Sequence, residues 1–395
     1  GEVPLSDPFF LDEPSDYWQH FFYGASLDEQ GRLNIIWHGN KIVSQPGEEQ
    51  VIDRDILLSR SNAGVTGFDP PVILKSYPAS PSAYGGGDIE IVSDATLITW
   101  LSFPAPGQDS RVLFRRAQWP DLDGMDLTIS SAPSVKRPYL TQKPETNLII
   151  VVWEEGNDIK LRRSEDAGAT FSNPIQINPI GTVAKGSSAT FTMGGDLAIA
   201  YQSGPYGSST ITVALSTDNG DSFSSYVDLG ALLSPAGAFE SPHLSLGESS
   251  NIHVVWHRND FGELGGEDES GNFQKLFEAY LASSNASGTW DSVTTLPPET
   301  AHSPRIWTGR ASSLHLSGKD HNLLADVYYI SSEDEGLSWG NPTMIPVSDG
   351  WRVENHQLVA NMEIDRLHIV WDERIKQGDA GQRIKLTTVD PGNKL

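Results

Sequence analysis

Apolar residues recur along this chain in short runs of four to six, rich in Val, Ile, Leu, Trp and Tyr, and broken by Gly, Pro, Asn and Asp. That punctuation is the signature of strands and turns, and helical periodicity is nearly absent. Aligning the runs that end in an aromatic residue exposes a repeat: Leu33 to Trp37, Leu97 to Trp100, Leu148 to Trp153, Leu197 to Tyr201, Ile252 to Trp256 and Leu367 to Trp371. A looser copy, Leu323 to Tyr328, fills the long gap before the last. Seven copies at a spacing of about 45 to 70 residues, with several strands in each, predict the blades of a β-propeller. The expected fold is all-β: a seven-bladed β-propeller, with six blades as the alternative, built of four-stranded antiparallel blades in one domain over 1–395. The last copy lacks a fourth strand, whereas Pro8-Phe9-Phe10-Leu11 is a spare apolar segment ahead of the first full blade. This segment, 8–11, is expected to complete the last blade and hide two sheet edges.

A second strand in three copies leads into an acidic turn. The turns are Ser164-Glu165-Asp166-Ala167-Gly168-Ala169-Thr170-Phe171, Ser216 to Phe223 and Ser332 to Trp339. All fit S-x-D-x-G-x-[ST]-[FW], and Ser283 to Trp290 is a degraded version in the fifth copy. In such a turn the Asp accepts backbone N–H bonds, Gly takes the positive φ, and the closing aromatic packs between strands. On these turns and the blade repeat the chain resembles the sialidase-like Asp-box (BNR-repeat) β-propeller superfamily over nearly its whole length. The resemblance implies that the boxes lie on the turn between third and fourth strands, away from the functional face. Asp166, Asp218 and Asp334 are therefore read as structural, and function has to be argued from the site.

Blade geometry limits the candidates to residues that follow the aromatic-ended strand or open the innermost strand. The first group holds His38, Glu154, Gln202, His257, Arg258, Asp372 and Arg374. The second holds His20, Tyr23, Arg137, Tyr139, Lys185, Glu240, His243, Arg310 and His356. Five of the ten histidines, His20, His38, His243, His257 and His356, fall in these groups. Arg offers a planar fork that matches a carboxylate or sulfate, so basic residues gathered at one mouth point to an anionic ligand. The structural alternative is an ion-pair network with Glu154, Glu240, Asp372 and Glu373.

Three functions fit that mouth. The resemblance implies a sialidase-like glycoside hydrolase, with arginines (Arg137, Arg258, Arg310, Arg374) on a substrate carboxylate, Tyr139 or Tyr23 with Glu240 as nucleophile pair, and Asp372 as acid. The family's F-R-I-P motif is missing; Ser303-Pro304-Arg305-Ile306 and Arg137-Pro138-Tyr139 only echo it. A polysaccharide lyase on uronic-acid glycans needs a neutralised carboxylate, a base and an acid, which Arg, His (His257, His243) and Tyr supply. A non-catalytic glycan-binding propeller is the third, with Trp119, Trp307 or Trp351 stacking on sugar rings.

Charge narrows the partners. The chain carries 52 acidic against 27 basic residues, a formal net charge of −25, which disfavours nucleic acid and anionic lipid and leaves an acidic oligo- or polysaccharide drawn to a local basic mouth. No apolar run approaches the ~20 residues that span a bilayer. There is no cysteine, hence no disulfide framework or thiolate metal site. No cofactor motif occurs; the acidic stretch Asp260 to Gly271 is the one place where a structural Ca²⁺ is considered, and it lacks EF-hand spacing. A secreted or periplasmic location is expected; no targeting segment is visible in the sequence, which is compatible with one having been removed ahead of Gly1.

Overall fold

The computed structural model describes residues 6, 9–11, 17, 19–44, 51–78, 86–92, 95–102, 107–192, 194–205, 207–233, 238–247, 251–259, 277–285, 288–311, 313–320, 326–348, 350–361, 366–375 and 382–389. Its strands form seven four-stranded antiparallel sheets in a ring, a seven-bladed β-propeller. From the axis outward, blade 1 runs Gln19–Leu27, Leu33–Ile42, Ile52–Arg60 and Val72–Tyr77. The innermost strands of blades 2 to 7 are Gly87–Val92, Val135–Gln142, Ala184–Phe191, Phe239–Leu246, His302–Thr308 and Trp351–Asn361. The outermost strand of blade 7 is Phe9–Phe10, which pairs antiparallel with Gln382–Val389 through Phe9 opposite Leu386 and Phe10 opposite Lys385. The expected closure by the N-terminal segment is therefore the one observed.

Stability does not come from one central core. The buried apolar side chains fall into seven clusters, one at each blade–blade interface. Most carry the aromatic that ends a second strand: Trp37, Trp100, Trp153, Tyr201, Trp256 and Trp371 are all essentially fully buried. The indole rings carry a polar N–H that favours a partner when buried, and four of these five Trp find one among the described residues, Trp256 being the exception. Trp37 donates to His20 Nδ1 (3.1 Å), Trp100 to Tyr77 Oη (3.0 Å), Trp153 to Glu155 (3.1 Å) and Trp371 to Glu373 (3.0 Å). Leu11 joins the cluster between blades 7 and 1, so the closing segment contributes packing as well as pairing.

The second strand of blade 6 corrects the sequence reading. It is Leu314–Lys319, whereas Leu323 lies outside the described residues and Val327–Ser332 is the third strand. The register puts Gly318 where the other blades have Trp or Tyr. A Cβ there would lie 2.7 Å from the Thr300 backbone, so no aromatic fits and the repeat is hard to see.

The three acidic turns join third and fourth strands and are built alike. In the first, Ser164 Oγ donates to Asp166 (2.7 Å) and accepts from Gly168 N–H (2.8 Å), while Thr170 donates to Asp166 through both N–H (2.8 Å) and Oγ1 (2.6 Å). The same bonds recur at Ser216, Asp218 and Ser222 and at Ser332, Asp334 and Ser338. Those donors hold Asp166 and Asp218 down to about 2. Gly168 and Gly336 have φ of 88° and 87°, and a Cβ would meet Phe114 at 2.6 Å and Leu281 at 2.4 Å, each in the preceding blade. Phe171, Phe223 and Trp339 pack on that same preceding blade, so each turn fastens one interface.

Candidate functional site

The innermost strands meet the axis in a repeated way. In blades 1 and 3 to 7 each has a bulge near its start, and in four of them a left-handed residue sits there: Arg137, Gly186, Ser241 and Ser303, with φ between 47° and 55°. Proline follows at Pro138, Pro242 and Pro304. A bulge re-aims the side chains beyond it. Matching each strand to its neighbour defines seven equivalent axial positions: Gly24, Asp88, Tyr139, Ser188, His243, Arg305 and Gln357.

Four of the seven join one blade to the next. Asp88 accepts from Leu140 N–H (2.9 Å), Ser188 from Leu244 N–H (3.2 Å), His243 from Ile306 N–H (3.4 Å) and Gln357 from Ala25 N–H (2.8 Å). Each donor is the residue after the axial position in the following blade. Gly24 has no side chain to reach Ile89 N–H, and Asp88 serves that donor itself (3.0 Å). The two long side chains left over, Tyr139 and Arg305, face a cavity of about 400 Å³ at the mouth. Arg305 Nη1 donates to the Pro304 carbonyl (3.1 Å), and no carboxylate pairs with it among the described residues. Burial pushes its guanidinium down to about 10, so it stays charged at neutral pH.

Tyr23, Asp88, Arg137, Glu240, Asn355 and His356 also line this cavity. Burial, then the Arg305 charge, pushes His243 down to about 3; the same causes hold His356 well below its usual range. Both imidazoles are neutral at ordinary pH. His356 Nε2 is buried with no hydrogen-bond partner among the described residues. Burial first, then Asp88 and Glu90, pushes the Tyr139 phenol well up. Burial likewise raises Asp88 to about 7.

Of the residues singled out from sequence, the structure brings Tyr23, Arg137, Tyr139, Gln202, Glu240, His243 and His356 together at this cavity. Arg137 is largely exposed and pairs with Glu154 (2.8 Å), which also accepts from Gly186 N–H (2.6 Å) of blade 4. The others lie elsewhere. Asp372 is completely buried and accepts from Asn355 N–H (2.6 Å), Asn355 Nδ2 (3.2 Å), Gln382 Nε2 (2.9 Å) and Phe22 N–H (3.3 Å), joining blade 7 to blade 1. His20 accepts the Trp37 N–H, and His38 stacks on Phe21 with centroids 4.4 Å apart. His257 is buried edge-on to His302 at 5.0 Å, and Arg258 is buried beside Tyr280. Arg374 lies near the end of the second strand of blade 7. Arg310 is a correction: it follows the innermost strand of blade 6 on the turn to the next, at the opposite end from the mouth, and Arg305 holds the position expected of it. Trp119, Trp307 and Trp351 are half-buried, with Arg60 over Trp119 (5.1 Å) and Arg383 over Trp351 (3.9 Å).

Sequence reasoning missed Asp88 and Arg305. The signal for Arg305 was present, since Ser303-Pro304-Arg305 repeats the Arg137-Pro138-Tyr139 and Ser241-Pro242-His243 pattern. Asp88 had none, because its strand carries no bulge and no proline. Among the described residues no three His, Asp or Glu side chains are grouped to hold a metal, and Asp260 to Gly271 lies outside those residues. Nor is any described helix long and apolar enough to cross a membrane.

The site is thus a polar pocket at the axis of a propeller, in which Arg305 faces Tyr139, two neutral histidines and the carboxyls of Asp88 and Glu240. Solved structures of carbohydrate-active enzymes share its fold. The polysaccharide lyase Uly1 superposes with a TM-score of 0.63 at 9% identity, covering 98% of this chain and 99% of its own. A PL25 ulvan lyase bound to -[GlcA(1-4)Rha3S]- gives 0.60 at 10%, covering 97% and 93%. The α-L-arabinofuranosidase Arb93A from Fusarium graminearum gives 0.55 at 10%, covering 99% and 98%. No protein-family model matches the chain, and no curated protein sequence matches it.

Proposed function

We propose that the protein cleaves an acidic polysaccharide at this mouth by β-elimination. The observation that carries the reading is Arg305: a desolvated cation with no carboxylate partner among the described residues, on the same cavity as Tyr139 and two neutral histidines. A buried guanidinium of this kind favours an anion, and a uronate carboxylate suits its fork. Neutralising that carboxylate acidifies the C5 proton. His356, with its unpartnered Nε2, is the base that takes this proton. The C4–O4 bond breaks as the C4=C5 double bond forms, and Tyr139 protonates the leaving oxygen. A phenol whose ionisation is pushed up suits a donor better than a nucleophile. The fold shared with two polysaccharide lyases supports the same reading.

Hydrolysis is the second reading, favoured by one observation. Asp88, raised to about 7, keeps its proton well above the usual carboxylate range on the same cavity as Glu240, and a carboxyl pair is the usual equipment of glycosidases.

The test is a panel of uronic-acid polysaccharides, sulfated algal glycans and sialosides, read together for reducing ends and for the ultraviolet absorbance of an unsaturated product. Both signals are expected from a uronate polymer, with Arg305→Ala lowering the rate by about 10²-fold or more. Reducing ends without absorbance would replace elimination by hydrolysis. Silence on both would remove the enzymatic reading.

A further inference from the structure

Tyr139 and Ser188 hold the same axial position in adjacent blades, 3 and 4, and both line the mouth cavity. The Tyr139 ring packs on the apolar cluster between these blades, and that packing fixes where its hydroxyl stands. The hydroxyl meets the Ser188 side chain, which is its hydrogen-bond partner. Ser188 is buried, and its Oγ also accepts Leu244 N–H of blade 5 (3.2 Å). Two hydroxyls in contact can share only one of their protons, so the direction of the bond between them has to be settled.

A serine hydroxyl carries two lone pairs and one proton. Accepting from Leu244 uses a lone pair and leaves the proton unspent. A buried O–H without an acceptor costs free energy, and among the described residues the Tyr139 hydroxyl is the group left to receive it. The opposite arrangement, with Tyr139 donating to Ser188, would strand the serine proton. The Tyr139 proton has no such constraint, because its hydroxyl stands at the cavity. Gln357, at the same axial position in blade 7, has no proton to spare in this way: it spends its amide N–H on the Ala25 carbonyl (3.3 Å).

We propose that Ser188 is a positioning residue for the proton donor: it gives its O–H to Tyr139 Oη and so turns the phenol proton towards the mouth. The inference rests on Tyr139 as the acid of the elimination. As the C4–O4 bond breaks, its electron pair takes the Tyr139 proton, and the electrons of the phenol O–H bond stay on Oη. The Ser188 O–H is already aimed at that oxygen, with Leu244 N–H polarising it from behind. The proton that His356 took from C5 returns to the phenolate through water once the product leaves. Ser188 touches neither substrate nor the breaking bond and acts through Tyr139 alone.

The experiment is infrared spectroscopy of the intact protein without substrate, with ring-labelled tyrosine and Tyr139→Phe to isolate the Tyr139 C–O stretch. That band falls when the phenol oxygen accepts a hydrogen bond and rises when its O–H donates one. Ser188→Ala should therefore move it to higher wavenumber, and Ser188→Thr, which keeps the hydroxyl, should leave it in place. A move to lower wavenumber in Ser188→Ala, or no move, overturns the assignment. Should Ser188→Ala fail to fold, the wild-type band decides, and a position typical of a phenol that donates without accepting overturns it as well. With a substrate that is turned over, Ser188→Ala should lower kcat about tenfold or more with KM unchanged, and Ser188→Thr should restore most of the loss. An unaltered kcat in Ser188→Ala overturns the positioning role. If no glycan is cleaved, the infrared result still decides which hydroxyl donates, and the loss falls on the elimination reading alone.

Discussion

At the scale of single residues, one backbone position occurs seven times with seven different side chains and is used in three ways. Asp88, Ser188, His243 and Gln357 accept an N–H from the next blade, Gly24 makes room, and Tyr139 and Arg305 face the mouth. Gly24→Ala should displace Asp88 and cost roughly 1–3 kcal/mol, because its Cβ would also approach the Asp88 backbone at 3.3 Å. Denaturant unfolding measures this, and an unchanged midpoint would mean the inner strands yield more easily than their hydrogen bonds imply. Arg305→Lys keeps the charge but loses the planar fork, so it should weaken polyanion binding and leave stability nearly unchanged, as titration calorimetry with a uronate oligosaccharide would show. Tyr139 and His243 were legible in sequence because a proline marks the bulge before each. Arg305 has the same mark, but taking Leu323 to Tyr328 as the second strand of its blade displaced the expected position to Arg310. Asp372, next to a repeated Trp, had the sequence context of a site residue. Only the four donors that enclose it, one of them Phe22 N–H from 350 residues away, reveal a structural role.

Among the elements, the blades were legible because each interface needs a large side chain at the same place, and Trp or Tyr supplies it in six of the seven second strands. The closing segment could be inferred from an apolar stretch with no partner in its own blade; among the described residues Phe9 and Phe10 pair in the ladder, and Ser6 N–H and Leu11 N–H donate to the carbonyls of Thr388 (3.0 Å) and Ile384 (3.3 Å). Much of its hold comes from Leu11, buried between blades 7 and 1. Leu11→Ala should therefore destabilise the ring by about 2–5 kcal/mol in denaturant unfolding. A negligible loss would assign the closure to backbone pairing alone. The acidic turns work at the other end of the blades. Arg163 of blade 3 reaches Asp221 (2.7 Å) and the Asp218 carbonyl (3.3 Å) of blade 4, and Lys143 reaches Asn219 (2.8 Å). Asp218→Ala should lower the melting temperature and leave ligand binding at the mouth as it was.

For the whole molecule, acid is the weak side. Burial pushes seven histidines below their ordinary value: His20, His38, His243, His253, His257, His302 and His356. Each binds a proton in the unfolded chain before it does in the folded one, so stability falls as pH drops from about 6.5 towards 3. Asp88, Glu90 and Asp372, raised to about 7, 8 and 6, act in the opposite sense: the folded chain holds their protons longer, and stability falls as pH rises from about 4 to 8. Seven groups against three predict a net loss on acidification below pH 6.5, visible as a falling thermal midpoint. A midpoint that rose steadily from pH 6.5 to 4 would contradict the buried, neutral state of the histidines.

The repeated axial position has a further consequence for redesign. A substitution at Arg305 leaves these seams between blades intact, whereas one at Asp88, Ser188, His243 or Gln357 opens a seam, and one at Tyr139 removes a ring packed between blades 3 and 4. A combinatorial library randomised at Arg305 would therefore retain most of its folded members and vary mainly in chemistry. Randomising the other four would select for folding before any new specificity could emerge.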